Sequence, residues 1–183
     1  MPERRDFLKT AAAGALTAGS GLSSVIVNTQ EAYAKESKKD IQINYRMLGS
    51  TGYKVSEIGF GAMNTRNAEL IHAAVDAGIN YIDTAHVYMN GINEEVVGSV
   101  MNTKRKKVFL TTKLEPEDRK SMTEKMAVSL KRLKTDHVDL VLLHSADNKE
   151  TLLNDDYMKA LDDARKKGQT RFVGFSTHSF KGE

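Results

Sequence analysis

Asp83, Tyr88, Lys113 and His144 are the residues whose types and positions could do chemistry together. Asp83 closes the apolar run Asn80-Tyr81-Ile82, and Tyr88 follows ahead of the turn formers Asn90 and Gly91. Lys113 ends the run KVFLTTK (107–113), and His144 lies near the end of HVDLVLLHS (137–145). A phenol, with a pKa of about 10, is a reluctant proton donor near neutrality. A nearby ammonium stabilises the phenolate and brings proton transfer into the working range. The ammonium needs a counter-ion, because burial alone would drive off its proton, and Asp83 can supply one. A neutral imidazole at His144 can donate a hydrogen bond to a carbonyl oxygen and stabilise charge developing there. Such a set protonates an oxygen while something else attacks the carbon. It contains no nucleophile and no hydride source, so a cofactor is expected.

Taken singly, each of the four has a structural explanation: a satisfied histidine, a loop lysine, a turn-capping aspartate, a packing tyrosine. Only their common placement carries the chemistry. His86 falls inside the Asp-Tyr segment and either flanks a substrate pocket or sits on an exposed loop; His72 reads as helix surface and His137 as structural. No H-x-H or H-x-x-x-H spacing supports a metal set from His86, His144 and Asp83, so no metal site is expected.

The elements that would position these groups alternate regularly. IQINYRMLGSTGYKV (41–55) alternates around a Gly-Ser-Thr-Gly turn and reads as a short hairpin. EIGFGAM (57–63) is a short strand ending in glycine; AELIHAAVDAGI (68–79) is a helix with Leu70, Ile71, Ala74, Val75 and Ile79 on one stripe. The strand YIDT is followed by the helix NEEVVGSVM (93–101), with Asn93 as its expected N-cap. After the strand KVFLTTK, Ser121-Met122-Thr123-Glu124 has a capping-box pattern opening another helix. HVDLVLLHS is a strand buried on both faces, a helix runs through Leu161 to the stop at Gly168, and RFVGFSTHS (171–179) is the fifth strand.

Strand-helix alternation predicts an α/β fold with a parallel sheet and right-handed crossovers. The glycines of EIGFGAMN do not form G-x-G-x-x-G, which weighs against an open dinucleotide-binding sheet. The favoured architecture is therefore an incomplete TIM (β/α)8 barrel, about five of eight strands, preceded by the short β-hairpin. The strand ends then carry Gly61-Ala62-Met63, Asp83 with Tyr88, Lys113, His144 and Ser176-Thr177-His178, all converging on one rim.

The segments ID-T-A-x-x-Y (82–88), TTK (111–113), LLH (142–144) and GFSTH (174–178) resemble the aldo-keto reductase family. The opening YRMLGSTGYKVSEIGFGAMN and the strand HVDLVLLHS are similar to it as well, so the likeness runs from Tyr45 to the end of the chain. The resemblance implies an NADP(H)-dependent reduction of aldehydes or ketones. In it Tyr88 is the general acid, Lys113 tunes it, Asp83 pairs with Lys113 and His144 orients the carbonyl. It also implies that Ser176 holds the nicotinamide carboxamide, that Thr177 takes part in the cofactor site, and that Gly61, Ala62 and Met63 line it. Where the family often has Asn after that serine, this chain has Thr177. A non-catalytic nicotinamide-binding or sensing protein, or an inactive fragment, is the alternative; the intact proton-donor set argues against it.

Residues 1–34 have paired Arg4-Arg5, then Phe7-Leu8-Lys9, an Ala- and Gly-rich apolar run and Ala32-Tyr33-Ala34. They resemble a twin-arginine export signal, which implies a periplasmic protein and no stable membrane span once the signal is removed. A charged lead (35–40) precedes the partial barrel domain at 41–183. The net charge of +3 comes from interspersed signs, so no nucleic-acid partner is expected; the partner is a small carbonyl substrate. With no cysteine, the sequence has no disulfide, thiolate nucleophile or cysteine-ligated cluster. Five strands against the eight of a closed barrel leave the first and fifth as open edges, whose inward residues, Ile58, Phe60, Val173 and Phe175 among them, would face water, and leave three accounts. The sequence is a C-terminally truncated fragment, which is favoured, or a natural short product, or a chain whose barrel a second chain completes.

Overall fold

The computed structural model describes residues 42–178; the expected export signal, the charged lead and residues 179–183 lie outside the described residues. The order of elements is β1 (Tyr45–Met47), β2 (Lys54–Ser56), β3 (Phe60–Gly61), α1 (Ala68–Asp76), β4 (Tyr81–Asp83), a 3-10 turn (Tyr88–Gly91) and α2 (Ile92–Lys104). A second 3-10 turn (Arg105–Lys107), β5 (Phe109–Leu114), α3 (Arg119–Leu133), β6 (Val138–Leu143), α4 (Lys149–Leu152), α5 (Asp155–Lys166) and β7 (Thr170–Phe175) follow. Strands β1 and β2 form an antiparallel hairpin; β3 to β7 form a parallel sheet in strict chain order. Sequential parallel strands with a crossover between each pair are the arrangement of a (β/α) barrel, and this chain forms an incomplete one.

Register fixes which side chains share a face. Gly61 pairs with Asp83, Asp83 with Thr111, Lys113 with Leu142, and Leu142 with Gly174. Side chains alternate with a period of two, so Gly61, Asp83, Lys113, His144 and Ser176 all project from one face. Tyr81, Phe109, Leu140 and Phe172 lie lower on that face. There Tyr81 stacks on Phe109 at 5.5 Å, and Tyr53 meets Phe109 edge-on at 5.3 Å. Ile82, Leu110, Leu114, Val141 and Leu143 point the other way and make the core with Ile71, Val97, Met122, Met126 and Leu161 of the helices.

Several expectations from pattern alone are corrected. Leu70, placed on the buried stripe of α1, is 51% exposed, because Ile71 and Val75 suffice to seat a helix of only nine residues. The cap of α3 is Asp118, whose carboxylate accepts from the Lys120 and Ser121 amides; Ser121 donates its hydroxyl to that carboxylate instead of capping. Val173 and Phe175 pair with Val141 and Leu143, so they belong to the helix-facing side of the sheet, not the inner one. Both are exposed, at 38% and 51%. No helix among the described residues is long and apolar enough to cross a membrane.

Candidate functional site

The strand ends are extended upward by hydrogen bonds that fix the loops above them. The Thr84 amide donates to Thr111 O, His86 N to Lys113 O, His144 N to Leu114 O, and Ser176 N to Leu143 O, each at 2.8–3.0 Å. These bonds carry the register of the sheet into the segments that hold Tyr88, His144 and Ser176.

Lys113 is the hub. Its ammonium bonds the Asp83 carboxylate, donates to Thr84 O at 2.9 Å and lies 3.1 Å from the Tyr88 hydroxyl. Three donors thus meet three oxygens, which is what a buried ammonium requires. The residue is 6% exposed. The Tyr88 ring meets the His144 ring edge-on with centroids 5.7 Å apart. Burial, and then the charge of Lys113, lower the His144 pKa below the ordinary histidine value, so its imidazole is held in the neutral form. The structure therefore brings Asp83, Tyr88, Lys113 and His144 together on one rim.

The other sequence-predicted residues surround this hub unevenly. Gly61 stands at the end of β3, and a Cβ added there would meet nothing within 4 Å. Ala62 is buried, and its carbonyl is taken by Asn93 at 2.6 Å; Met63 is exposed at 49%. The Ser176 hydroxyl accepts from the Ser145 amide at 3.2 Å and donates to no group among the described residues. Thr177 is turned away, donating to Asp147 at 2.8 Å. His178 also lies at this rim, its ring 6.4 Å from that of His144. His86 is half-buried, with Nδ1 3.0 Å from Ser129 Oγ, which excludes the exposed-loop reading.

The loop between Asp83 and α2 has its own scaffold, which sequence reasoning missed. Asn93 does not cap α2; the cap is Gly91, in left-handed conformation at φ 90°. Asn93 is wholly buried, donating to Ala62 O at 2.6 Å and Thr65 O at 3.0 Å and accepting from the Thr84 hydroxyl at 2.6 Å. It ties the end of β3 to the end of β4. Glu94 is also wholly buried, accepting from the Thr112 hydroxyl at 2.7 Å and lying 3.4 Å from Arg132 Nη1. Burial raises its pKa, opposed by Thr112, Ser129 and Arg132. The signal for Glu94 was present: Glu94, Val97, Gly98 and Met101 fall at i, i+3, i+4 and i+7, on the apolar stripe of α2. Between Tyr88 and Gly91 the backbone is strained, because Met89 (φ 52°) and Asn90 (φ 56°) are left-handed. Each such non-glycine residue costs on the order of 1–2 kcal/mol, Asn less than Met.

A sequence model described as the Aldo/keto reductase family matches residues 57–181. Among curated proteins, the chain is 31% identical over 150 residues to "Uncharacterized oxidoreductase YqkF" of Bacillus subtilis, covering 72% of this chain and 48% of that protein. It is 33% identical to "Aldo-keto reductase YhdN" of the same organism, covering 76% of this chain and 48% of that one. Among solved structures, the holo form of aldo-keto reductase AKR11C1 from Bacillus halodurans matches with a TM-score of 0.68 at 29% identity, over 75% of this chain and 51% of that one. An aldo-keto reductase from Klebsiella pneumoniae in complex with NADPH matches with a TM-score of 0.61 at 29% identity, over 68% of this chain and 46% of that one. The chain spans about half the length of these relatives. With the matched region spanning all five parallel strands and their rim of polar groups, the chain belongs to the aldo-keto reductase family.

Proposed function

We propose that the complete protein is an NADP(H)-dependent reductase of small aldehydes or ketones, with Tyr88 as proton donor. The observation that carries this reading is the Lys113 ammonium, which touches the Asp83 carboxylate and the Tyr88 hydroxyl at once. A bound nicotinamide cofactor would supply the hydride. The rim fits such a group: Gly61 leaves open space at the end of β3, and Ser176 retains a hydroxyl proton for a carboxamide oxygen.

The residues divide the work as their contacts allow. Neutral His144 donates a hydrogen bond to the substrate carbonyl oxygen and aims it at Tyr88. With hydride supplied to the carbonyl carbon by the nicotinamide cofactor, Tyr88 would pass its O–H proton to the carbonyl oxygen, which takes up the C=O π pair, to give the alcohol. The phenolate left behind faces Lys113, whose charge stabilises it until solvent returns a proton. Asp83 holds the Lys113 side chain in place before substrate arrives.

Tyr88→Phe removes only the transferable proton. Carbonyl reduction should fall by at least a thousandfold, at the upper end of what a general acid contributes on its own, roughly 10²–10⁴-fold. Cofactor binding, followed by fluorescence titration, should persist. Turnover at the parent rate would remove Tyr88 from the mechanism. The reading extends to location: the resemblance of residues 1–34 to a twin-arginine signal supports export of the folded protein with its cofactor already bound. Fractionation of cells before and after Arg4→Lys/Arg5→Lys tests this, and retention of both proteins in the cytoplasm would overturn it.

A further inference from the structure

The turn that carries Tyr88 adopts a conformation its own residues disfavour. Met89 (φ 52°, ψ 37°), Asn90 (φ 56°, ψ 36°) and Gly91 (φ 90°, ψ −14°) are three left-handed residues in a row. Backbone of this kind persists only where the surroundings over-determine it. Within the turn the Asn90 amide donates to Val87 O at 3.1 Å and the Ile92 amide to Met89 O and Tyr88 O, while the Tyr88 hydroxyl is bonded to Lys113.

A further constraint, from outside the turn, comes from α3. Arg132 Nη1 donates to His86 O at 3.2 Å, two residues before Tyr88. The same guanidinium lies flat against Gly91, three residues after it: a Cβ there would stand 2.2 Å from Arg132 Cζ. Arg132 is in turn held by Glu94, 3.4 Å away, and the other Glu94 oxygen accepts from Thr112, the β5 residue next to Lys113. One chain of contacts therefore runs from β5 through Glu94 and Arg132 to both flanks of Tyr88. Neither Arg132 nor Glu94 touches Asp83, Tyr88, Lys113 or His144 through any bond among the described residues.

We propose that the Arg132–Glu94 pair is a positioning unit that clamps the left-handed turn Met89-Asn90-Gly91 and so holds the Tyr88 hydroxyl against Lys113. The inference rests on Tyr88 being the proton donor. Placing a proton donor within hydrogen-bond reach is a stringent requirement, since a displacement of about 1 Å can cost on the order of a hundredfold in rate. A fully buried carboxylate on an apolar helix stripe would otherwise be a plain liability; paired to Arg132 it secures the loop from beneath.

The test uses the complete protein and the double variant Glu94→Gln/Arg132→Met, which removes the clamp without leaving a buried carboxylate unpaired and keeps the arginine's aliphatic stem. Arg132→Lys is its conservative companion, able to pair with Glu94 but unable to fork to His86 O while covering Gly91. Two readouts are taken: kcat and KM for carbonyl reduction, and hydrogen exchange of the amides from 86 to 92. The double variant should lose about tenfold to a hundredfold in kcat, with KM and cofactor affinity within about twofold. Exchange at 86–92 should rise at least tenfold while β5 and β6 keep their protection, and Arg132→Lys should fall between parent and double variant in both readouts. Unchanged exchange at 86–92 would overturn the clamp, and so would exchange that rises equally in every element, since the pair would then serve only general packing. If the parent itself reduces no carbonyl, the reductase reading fails, while the exchange comparison still decides the clamp.

Discussion

Gly98 sits where α2 and α3 approach so closely that no larger residue fits. A Cβ built on it would stand 2.1 Å from the carbonyl oxygen of Arg132 and 2.9 Å from the Leu133 C and Cα atoms. All three obstructing atoms are backbone, so no side chain can swing aside. Restoring an ordinary contact of 3.4 Å at the oxygen would move the helices apart by about 1.3 Å, the difference between the two distances. Replacing Gly by Ala in a helix interior gains about 1 kcal/mol from propensity. Overpacking a close-packed contact costs typically 1–3 kcal/mol, and a rigid backbone obstacle belongs at the top of that range. The expected net for Gly98→Ala is a loss of about 2 kcal/mol, read as a fall in melting temperature of about 4–8 °C for a chain of this size. Gly61→Ala is the control, because a Cβ there meets nothing within 4 Å; it should change stability by less than about 0.5 kcal/mol. If Gly98→Ala melts at or above the parent temperature, the two helices do not cross at the distance described, and Arg132 is not held where the site needs it.

Asn93→Ala should be equally costly for a different reason: it strips hydrogen bonds from Ala62 O, Thr65 O and the Thr84 hydroxyl in a fully buried position. Unsatisfied buried groups cost about 1–3 kcal/mol each, so urea denaturation should show a total loss of about 3 kcal/mol; an Ala variant within about 0.5 kcal/mol of the parent would refute the tie between β3 and β4. The pH dependence of stability should carry the mark of Glu94, whose folded-state pKa burial raises above the ordinary glutamate value of 4.5. The native state then binds more protons than the unfolded one in the window above pH 4.5, so this group's contribution declines as pH rises through it. Glu94→Gln should flatten that slope in urea titrations, and an identical slope in parent and variant would show that Glu94 is not titrating in the buried state described.

How much of this was legible beforehand depended on whether a residue's role was local to its strand. Asp83, Lys113 and His144 were identifiable because each ends an apolar run, and runs in a parallel sheet end on the same rim. The pleat then did the rest: residues two apart share a face, which put Lys113 over Asp83 and His144 beside Ser176 in the observed register. The same rule misplaced Val173 and Phe175 only because their parity relative to β6 could not be counted without the pairing itself. Asn93 shows the opposite limit. An asparagine three residues into a polar turn is a sound N-cap candidate from local chemistry, yet its partners lie 9, 28 and 31 residues away. The left-handed Gly91 took the capping position and turned Asn93 inward. For Glu94 the periodicity of α2 already placed a carboxylate on the buried stripe, where it must find donors to be tolerated. What periodicity lacked was the identity of those donors, Thr112 at 18 residues' separation and Arg132 at 38. The chemical groups were therefore readable because strand geometry repeats, whereas the groups that hold Tyr88 in place depend on which side chains the packing of α2 on α3 brings into contact. The distinction also explains why the scaffold should tolerate less change than its distance from the reacting atoms suggests: a buried charge whose partner is 38 residues away fails as soon as either helix shifts.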